Sequence, residues 1–151
     1  MKSYYNILDK LRNHFESDEL VNAITTGDIF QVDIDKQTIF PYVHIMVNNA
    51  QFIDSTVVFN VSLICMDIVD KSKKEVTDKF ITNDNEQDVL NTTLAILNRV
   101  YDVMRRGALF DNLIQVQGTP NCEPFTERFE NNLAGWTMSF DLVTNTNMTI
   151  C

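Results

Sequence analysis

The sequence predicts a single α+β domain over residues 1–151, with a central, mainly antiparallel β-sheet flanked by an N-terminal helix and one long helix at about residues 84–106. Three observations predict it. Apolar residues recur at steps of three and four near the N-terminus and again after residue 84, which places them on one stripe of a helix. Between and beyond those stretches lie runs rich in Val, Ile and Phe with a period of two, the signature of strands. No linker, repeat or low-complexity tract divides the chain, and 151 residues is the size of one ordinary core.

The first helix runs from Ser3 to about Phe15, with Tyr4, Ile7, Leu8, Leu11 and Phe15 on its apolar stripe and Ser3 placed to cap it. Glu16 to Ala23 either extends this helix or begins a second turn, and Thr25-Thr26-Gly27-Asp28 is the first clear break. Ile29 to Val32 reads as a short strand. Pro41 to Asn48 reads as a longer one, opening at a proline that needs no ladder hydrogen bond, with Val43, Ile45 and Val47 alternating with Tyr42, His44 and Met46. Both faces of that strand are mostly apolar, as expected for a strand covered on two sides. Asn48-Asn49-Ala50-Gln51 suggests a hairpin turn into a second long strand, Thr56 to Val69, with Val57, Phe59, Val61, Leu63 and Cys65 on one face and Asn60 and Ser62 interrupting the other.

The long helix carries Leu90, Leu94, Leu97, Val100, Tyr101 and Met104 at helical spacing. Two capping pairs are available at its start, Asn83 with Glu86 and Asp84 with Gln87, and Arg105-Arg106-Gly107 supplies a cationic last turn and a terminating glycine. Three strands follow, Leu109 to Val116, Cys122 to Phe129 and Leu133 to Thr144. In the last, Trp136, Met138, Phe140 and Leu142 oppose Thr137, Ser139 and Asp141, the alternation of a half-covered antiparallel strand. Gly135 within it marks a bulge or a close backbone approach, and Trp136 beside it is either a core residue or an interface anchor.

Composition narrows the function. A hydrophobic share of 44% with 22% charged residues is that of a folded globular chain and not of a disordered one. No apolar run reaches the ~18 residues of a membrane span, and the N-terminus mixes charge into its apolar positions, so residence in a cytoplasm is expected. Cys65, Cys122 and Cys151 form an odd set without paired spacing, which suggests reduced thiols. A net charge of −9 opposes binding to nucleic acid through phosphate contacts. Lys71, Lys73, Lys74 and Lys79 nonetheless cluster within nine positions, either as a solvated loop or as a contact with DNA or an acidic neighbouring subunit.

Motifs that carry chemistry are sparse. His14 and His44 have no carboxylate or cysteine at ligand spacing, and packed histidines are the ordinary expectation. Asp33-Ile34-Asp35-Lys36-Gln37 opens like a calcium loop, but Thr38 and the Val43 to Ile45 run stand where the glycine and the glutamate belong. Asp67 with Asp70, and Glu123 with Glu127, are carboxylate pairs that nothing in the sequence brings together. The four glycines form no phosphate loop and no nucleophile elbow. Neither an enzyme nor a cofactor or metal site is expected.

Gly27 to Asn49, GDIFQVDIDKQTIFPYVHIMVNN, pairs Asp28, Asp33 and Asp35 with Lys36-Gln37-Thr38-Ile39-Phe40-Pro41 and an aliphatic run. Phe129 to Cys151 turns at Asn131-Asn132 and returns through Leu133-Ala134-Gly135-Trp136. These two stretches, about a third of the chain, resemble the tail-terminator (tail-completion) proteins of tailed bacteriophages. The resemblance implies a small α/β subunit that forms a ring, commonly of six, at the head-facing end of the tail tube, with tube and neck or connector proteins as neighbours and DNA passing through without specific binding. It implies a virion protein made in the host cytoplasm, without a membrane or a cofactor. It also makes Lys71, Lys73, Lys74 and Lys79, together with Trp136 and the tail from Asn145 through Asn147 to Cys151, candidate contact residues. Another phage neck ring or a tail-tube subunit satisfies the same features, and so does an acidic dimeric cytoplasmic chaperone that holds a partner segment.

Overall fold

A computed structural model describes residues 2–28, 39–69, 79, 85–107, 114–128 and 132–146. Within them the order is α1 (Lys2–Ser17), β1 (Ala23–Thr26), β2 (Tyr42–Ile53), β3 (Thr56–Ile68), α2 (Glu86–Arg105), β4 (Gln115–Arg128) and β5 (Leu133–Asn145). The five strands form one sheet in the order β1-β2-β3-β5-β4, antiparallel except for the parallel pair β1–β2. This is the α+β architecture that the sequence predicts.

Both helices lie on one face of the sheet. Ile7, Leu11 and Phe15 of α1 and Ile96, Leu97, Val100 and Met104 of α2 join Val43, Ile45, Val57, Val61, Leu63, Phe140 and Leu142 in one buried cluster. A smaller cluster of Tyr42, Ile64, Met66, Phe125 and Leu133 forms on the other face. The helices are tied to each other by Arg99, whose Nε and Nη2 each donate to Asp18 at 2.8 Å. Burial pushes the Asp18 carboxyl up, but the Arg99 guanidinium and the Leu20 N–H hold it below the usual carboxylate range.

Several local expectations are corrected. Ser3 does not cap α1, because the helix already begins at Lys2; Ser3 is buried inside it and donates to the Asn145 carbonyl instead. The helix stops at Ser17, after which Asp18 turns the chain by accepting from Leu20 N–H. Thr25 and Thr26 are not a break but the end of β1, held by pairing of Ala23–Thr26 with Tyr42–Ile45. The expected strand Ile29 to Val32 lies outside the described residues.

Asn48 to Gln51 is not a turn. These residues continue β2, which takes up one extra residue in a bulge between Val47 and Asn49. The hairpin turns instead at Asp54-Ser55, where Asp54 takes φ 49° and Thr56 Oγ1 donates to the Ile53 carbonyl.

The proposed capping residues Asn83 and Asp84 lie outside the described residues. Asn85 occupies the N-cap position of α2 without a side-chain cap and donates to the Ile68 carbonyl, so it anchors the helix to β3. The buried stripe of α2 is Val89, Thr93, Ile96, Leu97, Val100 and Met104, which leaves Leu94 on the surface side. Its end is as read: Arg105, Arg106, then Gly107 at φ 80°.

After α2 two strands follow where three were expected. Residues 109–113 and Phe129 lie outside the described residues, and Gln115–Arg128 is one strand, because the Gly118-Thr119-Pro120 segment is absorbed as an irregularity between Gln117 and Asn121. In β5, Gly135 marks a close backbone approach. A Cβ built there would sit 1.9 Å from the Cys65 carbonyl oxygen, which belongs to the neighbouring strand. Gly135→Ala is therefore expected to cost about 3 kcal/mol, at the upper end of overpacking effects, through forced separation of β3 and β5. Urea unfolding measures it as a lowered midpoint with an unchanged slope.

Candidate interface

The residues that the sequence offered as contacts separate once placed. Lys71, Lys73, Lys74 and Asn147 lie outside the described residues, while Lys79 is exposed. Trp136 is half-buried against the main core, and its indole N–H donates to the Leu90 carbonyl at 2.9 Å, which pins α2 to β5. Asn145 ends β5 opposite Thr56, and its carbonyl accepts from Ser3. Both residues hold elements together, so no single candidate patch joins them.

A different surface emerges at the end of the sheet where the β2–β3 hairpin turns. Phe52 is 70% exposed and Tyr5 is 67% exposed, with Ile53 and Tyr4 also open to solvent. Register places Phe52 on the face that carries Tyr4 and Tyr5, with Ile53, opposite Thr56, on the other face of the same hairpin. Phe52 lies opposite Val57 and Ala50 opposite Phe59, while the Tyr4 ring centre lies 6.1 Å from that of Phe59 and 6.1 Å from that of Tyr5. A faint signal for this surface was present in the sequence. Adjacent helix positions such as Tyr4 and Tyr5 point about 100° apart, so a single core-facing stripe cannot bury both. Phe52 gave no such signal, because the Asn48 bulge shifts the residues beyond it to the opposite alternation.

Beyond the smaller apolar cluster, the second face of the sheet carries a polar row. Asn48 Nδ2 donates to Asn60 Oδ1 at 2.8 Å and to Ser62 Oγ at 2.7 Å, Ser62 and Ser139 hydroxyls meet at 2.9 Å, and Asn60 Nδ2 donates to Asp141 Oδ1 at 2.7 Å. These groups satisfy one another across three strands. Asn60 and Ser62, read as interruptions of an apolar alternation, are the middle of this row.

The titratable groups are set mainly in structural contacts. His44 is fully buried, and its Nε2 faces the Gly27 carbonyl at 3.2 Å. In the neutral ring that nitrogen carries the proton, so Nδ1 accepts from the Thr25 hydroxyl at 2.6 Å, and the Thr25 oxygen accepts in turn from the Tyr42 hydroxyl. The chain of contacts locks β1 onto β2. Burial lowers the His44 pKa, against the raising influence of the Gly27 and Asp28 backbone and the Asp28 charge. His14 is lowered first by burial, with Asp18 opposing and Arg99 adding to the shift.

Burial pushes the Cys65 and Cys122 thiols up, which keeps both protonated near neutral pH. Of the expected carboxylate pairs, Asp70 and the side chain of Glu127 lie outside the described residues, as does the Asp33 to Gln37 segment. Asp67 accepts from the Ile68 N–H, and burial raises its pKa. Among the described residues no group of three His, Cys, Asp or Glu side chains gathers as a metal site, and no helix is long and apolar enough to cross a membrane.

No protein-family model matches this chain, and no curated protein matches it. The surfaces themselves therefore carry the functional argument, above all the apolar side chains open at the hairpin end.

The histidines give a pH dependence with a defined sign. Both folded imidazoles titrate below the ordinary value of 6.5, so the unfolded chain takes up protons first as the pH falls. Their contribution to stability is complete above about pH 6.5 and is lost as the pH drops through that value towards the folded pKa values. Urea midpoints at about pH 7.5 and about pH 5.5 should differ, with the lower pH less stable, and His44→Asn should lower stability at the higher pH while reducing the difference.

Proposed function

We propose that this chain is a structural subunit of a tailed-phage virion, one that closes into a ring, most simply of six copies, which ends the tail tube or joins the tail to the head with DNA passing through the bore. The observation that carries the reading is the exposure of Phe52, Ile53, Tyr4 and Tyr5 at one end of a folded, acidic chain. Apolar side chains gathered at one end of a fold mark a surface for another protein. The two stretches resembling tail terminators supply the kind of assembly; they contribute β2 as far as Asn49 and all of β5, the strands that flank β3 on either side.

A ring also makes sense of the charge. With a net charge of −9, a bore wall that shares the acidic character of the chain repels DNA and lets it pass without sticking. The partners in this reading are other copies of the chain, the tail tube below and the connector above. The subunit is made in the host cytoplasm and ends in the virion.

Native mass spectrometry of the concentrated chain, with electron-microscopic class averages of the heaviest species, tests this directly. Six copies of the 17.4 kDa chain give an annular particle of about 104 kDa, which is the expected result. A uniform dimer near 35 kDa without rings contradicts it and favours a dimeric chaperone that holds a client segment.

A further inference from the structure

The hairpin end has a counterpart on the other side of the same molecule. Between the last turns of α2 and the start of β4 lies a groove of about 340 Å³ whose walls mix apolar Tyr101, Met104 and Val116 with polar Arg105 and Gln115. At its cationic end, the Arg105 and Arg106 side chains are 64% and 74% exposed and share one carboxylate, that of Asp102, at 3.3 and 2.9 Å. Among the described residues, two positive charges stand against one negative at this end of an acidic protein. The hairpin offers the complement, with exposed Phe52 on the helix-covered face and the exposed carboxylate of Asp54 in the turn that follows.

Four features of the fold suit these surfaces to each other. They lie towards opposite edges of the sheet, because β4 is one edge strand and β1 pairs with β2 only as far as Ile45, leaving the hairpin end of β2 beyond it among the described residues. Their heights agree: Phe52 is opposite Val57, which pairs with Thr144, while Gln115 pairs with the next residue, Val143, a step of about 3.4 Å. Phe52 lies on the sheet face of Val57, the helix-covered face that also carries Val116 through its partner Leu142. Both elements also run the same way, since β2 ends at the hairpin, while α2 starts beside Ile68 and finishes beside Gln115.

A rotation about an axis along the strands preserves height and direction, so it carries the hairpin of one copy to the groove of the next without a rise. Repeated without a rise, it does not climb into a filament, and it closes a ring where the angle divides a full turn. Continuation of the sheet itself across the contact is disfavoured, because Pro120 and Pro124 lack an N–H and the strand is irregular after Gln117.

We propose that copies of this chain join head to tail, with Phe52 of one copy packed against Tyr101, Met104 and Val116 of the next and with Asp54 paired to its Arg105 and Arg106. The contact deepens the ring reading and rests on it. The test compares the full chain with Phe52→Ser, Asp54→Asn, Asp54→Lys, Arg106→Glu and the double variant Asp54→Lys with Arg106→Glu, by native mass spectrometry and sedimentation over a concentration series. Circular dichroism and melting confirm that each variant is folded, and Asp54→Asn removes the charge while tolerating the positive φ of the turn.

Each single variant should raise the concentration needed for assembly by about tenfold or more, and the double reversal should recover most of the loss. A wild-type ring whose mass and concentration dependence all folded variants leave unchanged overturns this contact but leaves the ring reading standing. Loss in both reversed single variants without recovery in the double overturns the charge pairing that identifies the partner surface. A wild-type chain that forms no ring at the highest attainable concentration overturns both proposals.

Discussion

The rest of the structure depends on the pairing of β3 with β5. Thr56–Ile68 and Leu133–Asn145 run antiparallel with no break in register, whereas β2 and β4 are each interrupted by irregularities. Gly135 sets how closely the two central strands approach, because no side chain fits beside the Cys65 carbonyl. On one side of this pair the alternating Val57, Phe59, Val61, Leu63, Met138, Phe140 and Leu142 form the floor on which both helices pack. Removal of those side chains from water is the main favourable term for such a fold, and it requires that every one of them face the same way.

The polar row on the opposite face bears on that requirement. A slip of one residue would exchange the two faces, setting Asn60 and Ser62 under the helices and the Val and Leu side chains outside. Asn60 with Asp141 and Ser62 with Ser139 are matched only in the observed register. The row thus selects a register while the apolar face supplies the stability. A fixed register has a functional consequence, because it also fixes the relative height of the hairpin and of the groove beside β4. The contact proposed between copies depends on that rigid frame.

What the sequence made legible follows from how local each signal is. The end of α2 at Gly107 and the alternation of β3 and β5 depend on residues close together in the chain, and the structure keeps them. β1 is four residues long and exists through a parallel partner sixteen positions beyond its end, so Thr25-Thr26 looked like a break. The Asn48 bulge changes the alternation in the middle of β2, which disguised the remainder of that strand as a turn. Gly118 and Pro120 resembled a strand boundary because an edge strand tolerates residues that a central strand does not. The candidate contact surface was less legible than the fold. Trp136 drew attention by its size, yet Phe52 lies beyond the Asn48 bulge, which no local pattern around it reveals.

Amide hydrogen exchange tests the dependence on β3 and β5 most directly. If that pair is the frame, the backbone N–H groups of Val61, Leu63, Phe140 and Leu142 that bond within the ladder should be among the slowest to exchange, opening only with global unfolding, while β1 and the hairpin end of β2 exchange through smaller openings. Central β3 and β5 amides that exchange as fast as those of β1, with α2 alone protected, would contradict the account.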